Sequence, residues 1–183
     1  LRGSLTAINP YPISIEYPAK WLKSQAPVGE CREKIRAANH IRSDVFVGLG
    51  VDRLDYTKGI LERFRAIERM LELEPRWIGR FTFIQVAAPS RSSIEEYQHF
   101  EARVRAAATQ INLRFGSTDY QPICLRIQHH GPDEVYTYYR GADLCFVSSL
   151  HDGMNLVAKE FVAARDDERG VLILSQFTGA SRE

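Results

Sequence analysis

Apolar residues along this chain fall into short runs that alternate with stripes at helical spacing. Val45-Phe46-Val47-Gly48-Leu49-Gly50-Val51 is a run of the length and composition of a buried strand. Ile60, Phe64, Ile67 and Leu71 then recur on one helical face, and Pro75 ends that helix. Phe81 to Ala87 predicts a second strand. Ser92 and Ser93, each with a glutamate three residues on, offer capping boxes for a second helix. Its inner stripe is Tyr97, Phe100, Val104, Ala107 and Ile111. Ile123 to Ile127, Leu144 to Val147 and Val171 to Leu174 predict three more strands, with a short helix after Pro132 and another over Leu156 to Ala164.

Strands that alternate with helices predict a parallel sheet covered on both faces, an α/β fold of the Rossmann-like kind. A different segment precedes it. Tyr11 to Pro18 predicts a short strand among prolines, followed by helices near Lys20 and over Glu30 to Asn39. Residues 1–42 therefore read as a connection from another domain, and 43–183 as the sheet domain itself. Leu1 in place of an initiator methionine, and a last residue just after an apolar run, lead us to expect a piece of a longer chain.

Composition narrows the partners. The 183 residues carry a net charge of +1, so no basic excess points to nucleic acid or a membrane surface. No apolar run approaches the length of a membrane span. Three cysteines, Cys31, Cys124 and Cys145, lie far apart without CxxC spacing, which argues against a disulfide framework or a zinc site and for a reducing, cytoplasmic setting. Homo-oligomerisation is left open.

Ligands of open parallel sheets bind beyond the carboxyl ends of the strands, and polar clusters converge there. Asp52 to Gly59 follows the first strand, Pro89-Ser90-Arg91 the second, Gln128-His129-His130-Gly131 the third, and Ser148 to Asn155 the fourth. Arg53 and Lys58 at a turn into a helix make an anion site, partly neutralised by Asp52 and Asp55, and Arg91 a second one. His151-Asp152-Gly153-Met154-Asn155 would present free amides at a helix start, with Gly153 letting backbone approach a ligand. Asp152 could equally serve as a plain helix cap. A carboxylate at Glu160 suits a vicinal diol such as a ribose, although beside Lys159 it also reads as an ordinary surface residue. The histidine pair has no third ligand at metal spacing, and Tyr136, Tyr138 and Tyr139 read as packing around the short helix.

At these same residues the chain resembles glycosyltransferase family 20, the trehalose-6-phosphate synthases. Val51-Asp52-Arg53-Leu54-Asp55-Tyr56-Thr57-Lys58-Gly59 and Asp152-Gly153-Met154-Asn155-Leu156-Val157-Ala158-Lys159-Glu160 match the family's two signatures nearly letter for letter. Tyr11 to Ile15, Ala88 to Arg91 and Gly170 to Phe177 add to the likeness in the right order.

The resemblance implies a GT-B architecture of two Rossmann-like domains, of which residues 43–183 would be most of the nucleotide-sugar-binding one. It implies a retaining enzyme that needs no metal and moves glucose from UDP-glucose to glucose 6-phosphate. Carried across, Arg53 and Lys58 grip the diphosphate. Asp152 and the amides of Gly153, Met154 and Asn155 hold the glucosyl unit. Leu156 and Val157 line the nucleotide, Glu160 takes the ribose hydroxyls, and Arg91 reaches the acceptor's phosphate. His130 borders the donor pocket where the family often has an aromatic residue, and His151 stands where it usually has arginine, so both bear on nucleotide choice. Alternatives are a relative with another acceptor, such as glycerol 3-phosphate, a relative with ADP- or GDP-glucose as donor, and a noncatalytic sugar-nucleotide-binding module.

Overall fold

A computed structural model describes residues 6–9, 11–90 and 94–182. Five strands form one wholly parallel sheet in the order β3-β2-β1-β4-β5. They are β1 (Phe46–Arg53), β2 (Phe81–Ala88), β3 (Ile123–Ile127), β4 (Leu144–Val147) and β5 (Val171–Leu174). The helices are α1 (Val28–Ala38), α2 (Ile60–Leu73), α3 (Glu95–Phe115), α4 (Pro132–Gly141) and α5 (Leu156–Ala163). The predicted alternation is therefore the one observed.

Two cores flank the sheet. On one face Ile60, Phe64, Ile67 and Leu71 of α2 and Phe100, Val104, Ala108 and Ile111 of α3 pack on Phe83, Ala87 and Ile123. Ala108 is the buried alanine of α3's inner stripe, and the predicted Ala107 lies at the edge of that stripe. On the other face Ile35 of α1, Tyr136 and Tyr139 of α4 and Phe161 of α5 cover Val47, Leu49, Ile84 and Val86. Successive strand residues point to opposite faces, so β2 feeds both cores, with Ile84 and Val86 on one side and Phe83 and Ala87 on the other.

The chain steps outward from β1 through β2 to β3, then returns to place β4 on the other side of β1. The strand order thus reverses between β1 and β4, and the crevice of such a sheet opens there, at the strands' carboxyl ends. Two expectations change. First, β1 runs on to Arg53, because its pairing with β2 continues to Arg53 opposite Ala88. Asp52 and Arg53 are thus strand residues rather than loop residues. Second, residues 11–16 join no strand ladder. Pro12 and Pro18 have no N–H to give one, and Tyr11, Ile13 and Tyr17 are exposed. The capping boxes of Ser92 and Ser93 lie outside the described residues, and α3 begins after Ile94 with no side-chain cap.

Candidate active site

Two loops flank the point of reversal, and each is folded by its own polar residues. In the loop after β1, Asp55 accepts from the N–H and the hydroxyl of Thr57 at 2.9 and 2.8 Å, which turns residues 56–58 into a single 3-10 turn. Gly59 follows at φ +65°, and a Cβ there would stand 2.2 Å from the carbonyl oxygen of Ser148. Only glycine takes both that conformation and that contact without strain. In the loop after β4, Asn155 accepts from the Ala158 N–H at 3.0 Å and so caps α5, itself at φ 76°. The cap of α5 is therefore Asn155 and not Asp152. Asp152 donates its N–H to the Phe177 carbonyl, and Gly179 and Ala180 donate to the carbonyls of Asp152 and Met154. The 177–180 segment thus backs the loop from behind.

The two loops are also tied to each other. The Leu150 N–H donates to Thr57 O at 2.8 Å, and the Ser148 hydroxyl donates to Gly59 O at 2.8 Å. Lys58 Nζ donates to Asp152 Oδ2 at 2.6 Å, and Asn155 Nδ2 donates to the same oxygen at 3.1 Å. Burial alone would raise the Asp152 carboxyl, but the Lys58 and Asn155 donors outweigh it and hold the group below its usual range. The N–H groups of Gly153, Met154 and Asn155 bond to no backbone carbonyl among the described residues; that of Met154 turns to the Asp152 carboxylate, and Gly153 faces open space. Arg53 is exposed at the end of β1 and makes no side-chain hydrogen bond or ion pair with any described residue. The site thus presents cations and amide donors on both sides of the reversal, which is a setting for a polyanion.

Beneath the loops lies a buried polar network that the sequence reading missed. Arg63 of α2 is 0% exposed. Its Nη1 donates to Asp52 Oδ2 at 2.7 Å and to Gln85 Oε1 at 2.6 Å, and its Nε donates to the Ser148 hydroxyl at 3.0 Å. Gly50 is part of the same arrangement, because a Cβ on it would stand 2.2 Å from Arg63 Nη1. Burial pushes the Asp52 carboxyl up, opposed chiefly by Arg63. Asp52 pairs directly with Arg63 and also feels the charge of Lys58, and Asp55, besides holding its turn, feels both Arg53 and Lys58, so the two carboxylates partly offset the outer cations. The signals were an arginine on the apolar stripe of α2 and a glutamine in the middle of an apolar strand.

The other predicted residues fall as follows. Glu160 is half-buried one turn into α5 and accepts from the Tyr139 hydroxyl at 2.9 Å. Lys159 beside it turns to Ile13 O and the Ser14 hydroxyl. Leu156 and Val157 open α5 and are half-buried. The His130 side chain is only 2% exposed and stands edge-on to Tyr138 with centroids 5.9 Å apart. Its Nδ1 is 2.8 Å from Glu134 Oε1 without hydrogen-bond alignment, so neither ring nitrogen has a hydrogen-bond partner among the described residues. His129 is exposed. Arg91 lies outside the described residues. No cluster of three or more His, Cys, Asp or Glu side chains suited to a metal occurs among the described residues, and none of their helices is long and apolar enough to cross a membrane. The cysteines are buried free thiols. A cavity of about 780 Å³ lies at the opposite, amino ends of the strands, lined by Val45, Thr82, Cys124 and their neighbours, away from the converging loops.

Fold and site together define a Rossmann-like α/β domain with a crevice lined by cations and amides at its topological switch point. The profile of glycosyltransferase family 20 matches residues 1–183, and the chain belongs to that family. It is 40% identical over 182 residues to the alpha,alpha-trehalose-phosphate synthase [UDP-forming] of Botryotinia fuckeliana, a match that covers 99% of this chain and 34% of that protein. Among solved structures, an alpha,alpha-trehalose-phosphate synthase (UDP-forming) from Burkholderia xenovorans in complex with glucose-6-phosphate superposes with a TM-score of 0.85 at 38% identity, over 94% of this chain and 38% of that one. A trehalose-6-phosphate structure from E. coli bound with UDP-2-fluoro glucose gives 0.84 at 38% identity over the same shares. The chain thus spans about a third of the length of the relatives it matches.

Proposed function

We propose that this chain is the donor-binding half of a retaining glycosyltransferase that moves glucose from UDP-glucose to glucose 6-phosphate, giving trehalose 6-phosphate. Residues 43–183 would be the nucleotide-sugar domain, residues 1–42 the connection to an acceptor-side domain, and the reaction would run between the two without a metal. The observation that carries the reading is the cross-loop cluster of Lys58, Asp152 and the amides of Gly153 to Asn155 at the switch point. The names of the relatives and the ligands of two related structures agree with it.

In this reading Arg53 and Lys58 hold the diphosphate. An ammonium carries three donors, so Lys58 can keep Asp152 and still turn an N–H to a phosphate oxygen. As the glycosidic bond breaks, negative charge grows on the departing diphosphate. Cations fixed beside it stabilise the transition state more than the ground state. Asp152 and the amides of Gly153, Met154 and Asn155 take the glucosyl hydroxyls. Leu156 and Val157 line the nucleotide, Glu160 accepts from the ribose diol, His130 borders the base side, and Arg91 pairs with the acceptor's phosphate. A single wall cannot exclude water from the crevice, so the 183-residue chain alone should bind nucleotide weakly and turn nothing over.

Calorimetry on the complete protein with UDP-, ADP- and GDP-glucose, joined to turnover with glucose 6-phosphate and with glycerol 3-phosphate, tests the reading. UDP-glucose and glucose 6-phosphate should be preferred. Tight binding with no turnover for any acceptor would instead mark a noncatalytic module.

A further inference from the structure

Tyr139 is a fully buried phenol hydrogen-bonded to the one carboxylate of α5, a side chain that faces partly outward. It is 0% exposed, its hydroxyl donates to Glu160 Oε2 at 2.9 Å, and its ring is held edge-on by Tyr136 at 5.5 Å between centroids. The two helices approach Glu160 from different depths. α5 starts at the crevice, and Glu160 lies four residues along it, about 6 Å down at the helical rise of 1.5 Å per residue. α4 descends from the end of β3, and Tyr139 lies seven residues along it, about 10 Å down. The phenol therefore reaches Glu160 from the core side, below the rim.

A glutamate has three rotatable side-chain bonds and would sample several rotamers at such a half-buried place. A donor fixed beneath it removes that freedom. It occupies a lone pair on Oε2 and leaves Oε1, with the other lone pair of Oε2, to accept from elsewhere. A carboxylate so held is an acceptor-only pair of oxygens in one fixed orientation, which is what two adjacent hydroxyls require. A phenylalanine at 139 would fill the same space and fix nothing. Packing alone therefore does not account for the hydroxyl.

The geometry points to Tyr139 as a positioning residue that sets the Glu160 carboxylate for a vicinal diol of the donor nucleotide, and so reads ribose against deoxyribose. This rests on the assignment of Glu160 to the ribose made above. Tyr139 itself touches no substrate and acts through Glu160.

Binding of UDP, 2′-deoxy-UDP and 3′-deoxy-UDP to the complete protein, measured by calorimetry, tests it. In the wild type each deoxy probe should bind roughly tenfold or more weakly than UDP, the cost of a missing hydroxyl opposite a charged acceptor. Glu160→Ala should bring both ratios close to one. Tyr139→Phe, with an unchanged far-ultraviolet spectrum, should lower them roughly threefold or more by weakening UDP and sparing the deoxy probes. Replacing Tyr139 by 4-aminophenylalanine, which keeps an N–H donor at the same place, should restore the wild-type ratios, and this comparison stands even if the phenylalanine variant unfolds. Wild-type ratios in a folded Tyr139→Phe protein, while Glu160→Ala abolishes them, would overturn the role of Tyr139 and leave that of Glu160 intact. A uniform weakening for all three probes, unrelieved by 4-aminophenylalanine, would reduce Tyr139 to packing. Undiminished ratios in Glu160→Ala would remove the ribose assignment and the positioning role with it.

Discussion

Lys58 Nζ stands 2.6 Å from Asp152 Oδ2, so the cation on one loop and the carboxylate on the other hold the crevice at a fixed width. Both side chains are largely shielded from water, at 17% and 16% exposure, so the pair is less screened than a surface pair. A diphosphate entering there meets an ammonium that is already aimed. Lys58→Ala in the complete protein should lower kcat/KM by about 2–4 kcal/mol of transition-state binding, as for the loss of one oxyanion donor. Steady-state rates check this, and an unchanged kcat/KM would dismiss Lys58 from the chemistry.

Arg63 should matter chiefly to the fold. Arg63→Met strands Asp52 in the interior, where breaking one side of a buried pair costs about 3–5 kcal/mol. Because Asp52 is only 3% exposed, water cannot compensate for the lost partner. Thermal melting should show a large drop in midpoint, and Arg63→Met combined with Asp52→Asn should recover much of it. A double variant no better than the single one would mean that charge was not the cause.

Asn155 separates two contributions at one position. Asn155→Ala loses the cap, worth about 0.5–2 kcal/mol, and keeps a side chain at φ 76°. Asn155→Gly loses the same cap but relieves the backbone. The alanine variant should melt lower than the glycine variant. The reverse order would show that the left-handed conformation costs nothing here.

Acid should act in two steps. The Glu160 carboxyl is raised above its ordinary 4.5, first by burial and against the Tyr139 donor. Its protonated form favours the fold below 4.5, and that contribution fades as pH rises through the raised value. Asp152 is lowered below 3.8, so its contribution to stability is complete above 3.8 and is lost as pH falls through the lowered value. On acidification, UDP-glucose affinity should therefore weaken first, above 4.5, as Glu160 stops being a pure acceptor. Loss of the Asp152 contribution follows below 3.8. Paired binding and circular-dichroism titrations check the order, and Glu160→Gln should abolish the first step alone.

Much of the fold was legible because buried parallel strands and amphipathic helices write their periods directly into residues such as Val47 and Leu49, or Phe64 and Ile67. The converging loops could be found because charged and amide side chains gather where each buried strand ends, the place at which an open parallel sheet takes its ligand. Long-range pairing was not legible. Nothing local says that Arg63 reaches Asp52, Gln85 and Ser148, or that Tyr139 lies under Glu160, since these bonds join residues 11 to 85 positions apart. The failed strand near Tyr11 shows the same limit, because an extended, proline-flanked segment becomes a strand only beside a partner.

The ties between Ser148 and Gly59 and between Leu150 and Thr57 end on carbonyl oxygens of the main chain. Side chains at the mouth, such as exposed His151 and Tyr56, can therefore be exchanged without shifting the atoms that face a ligand. That makes the mouth a natural place to retune which ligand is admitted, a sugar nucleotide in the function proposed above. A directed library confined to these two positions would explore selectivity while leaving the scaffold's foundations untouched.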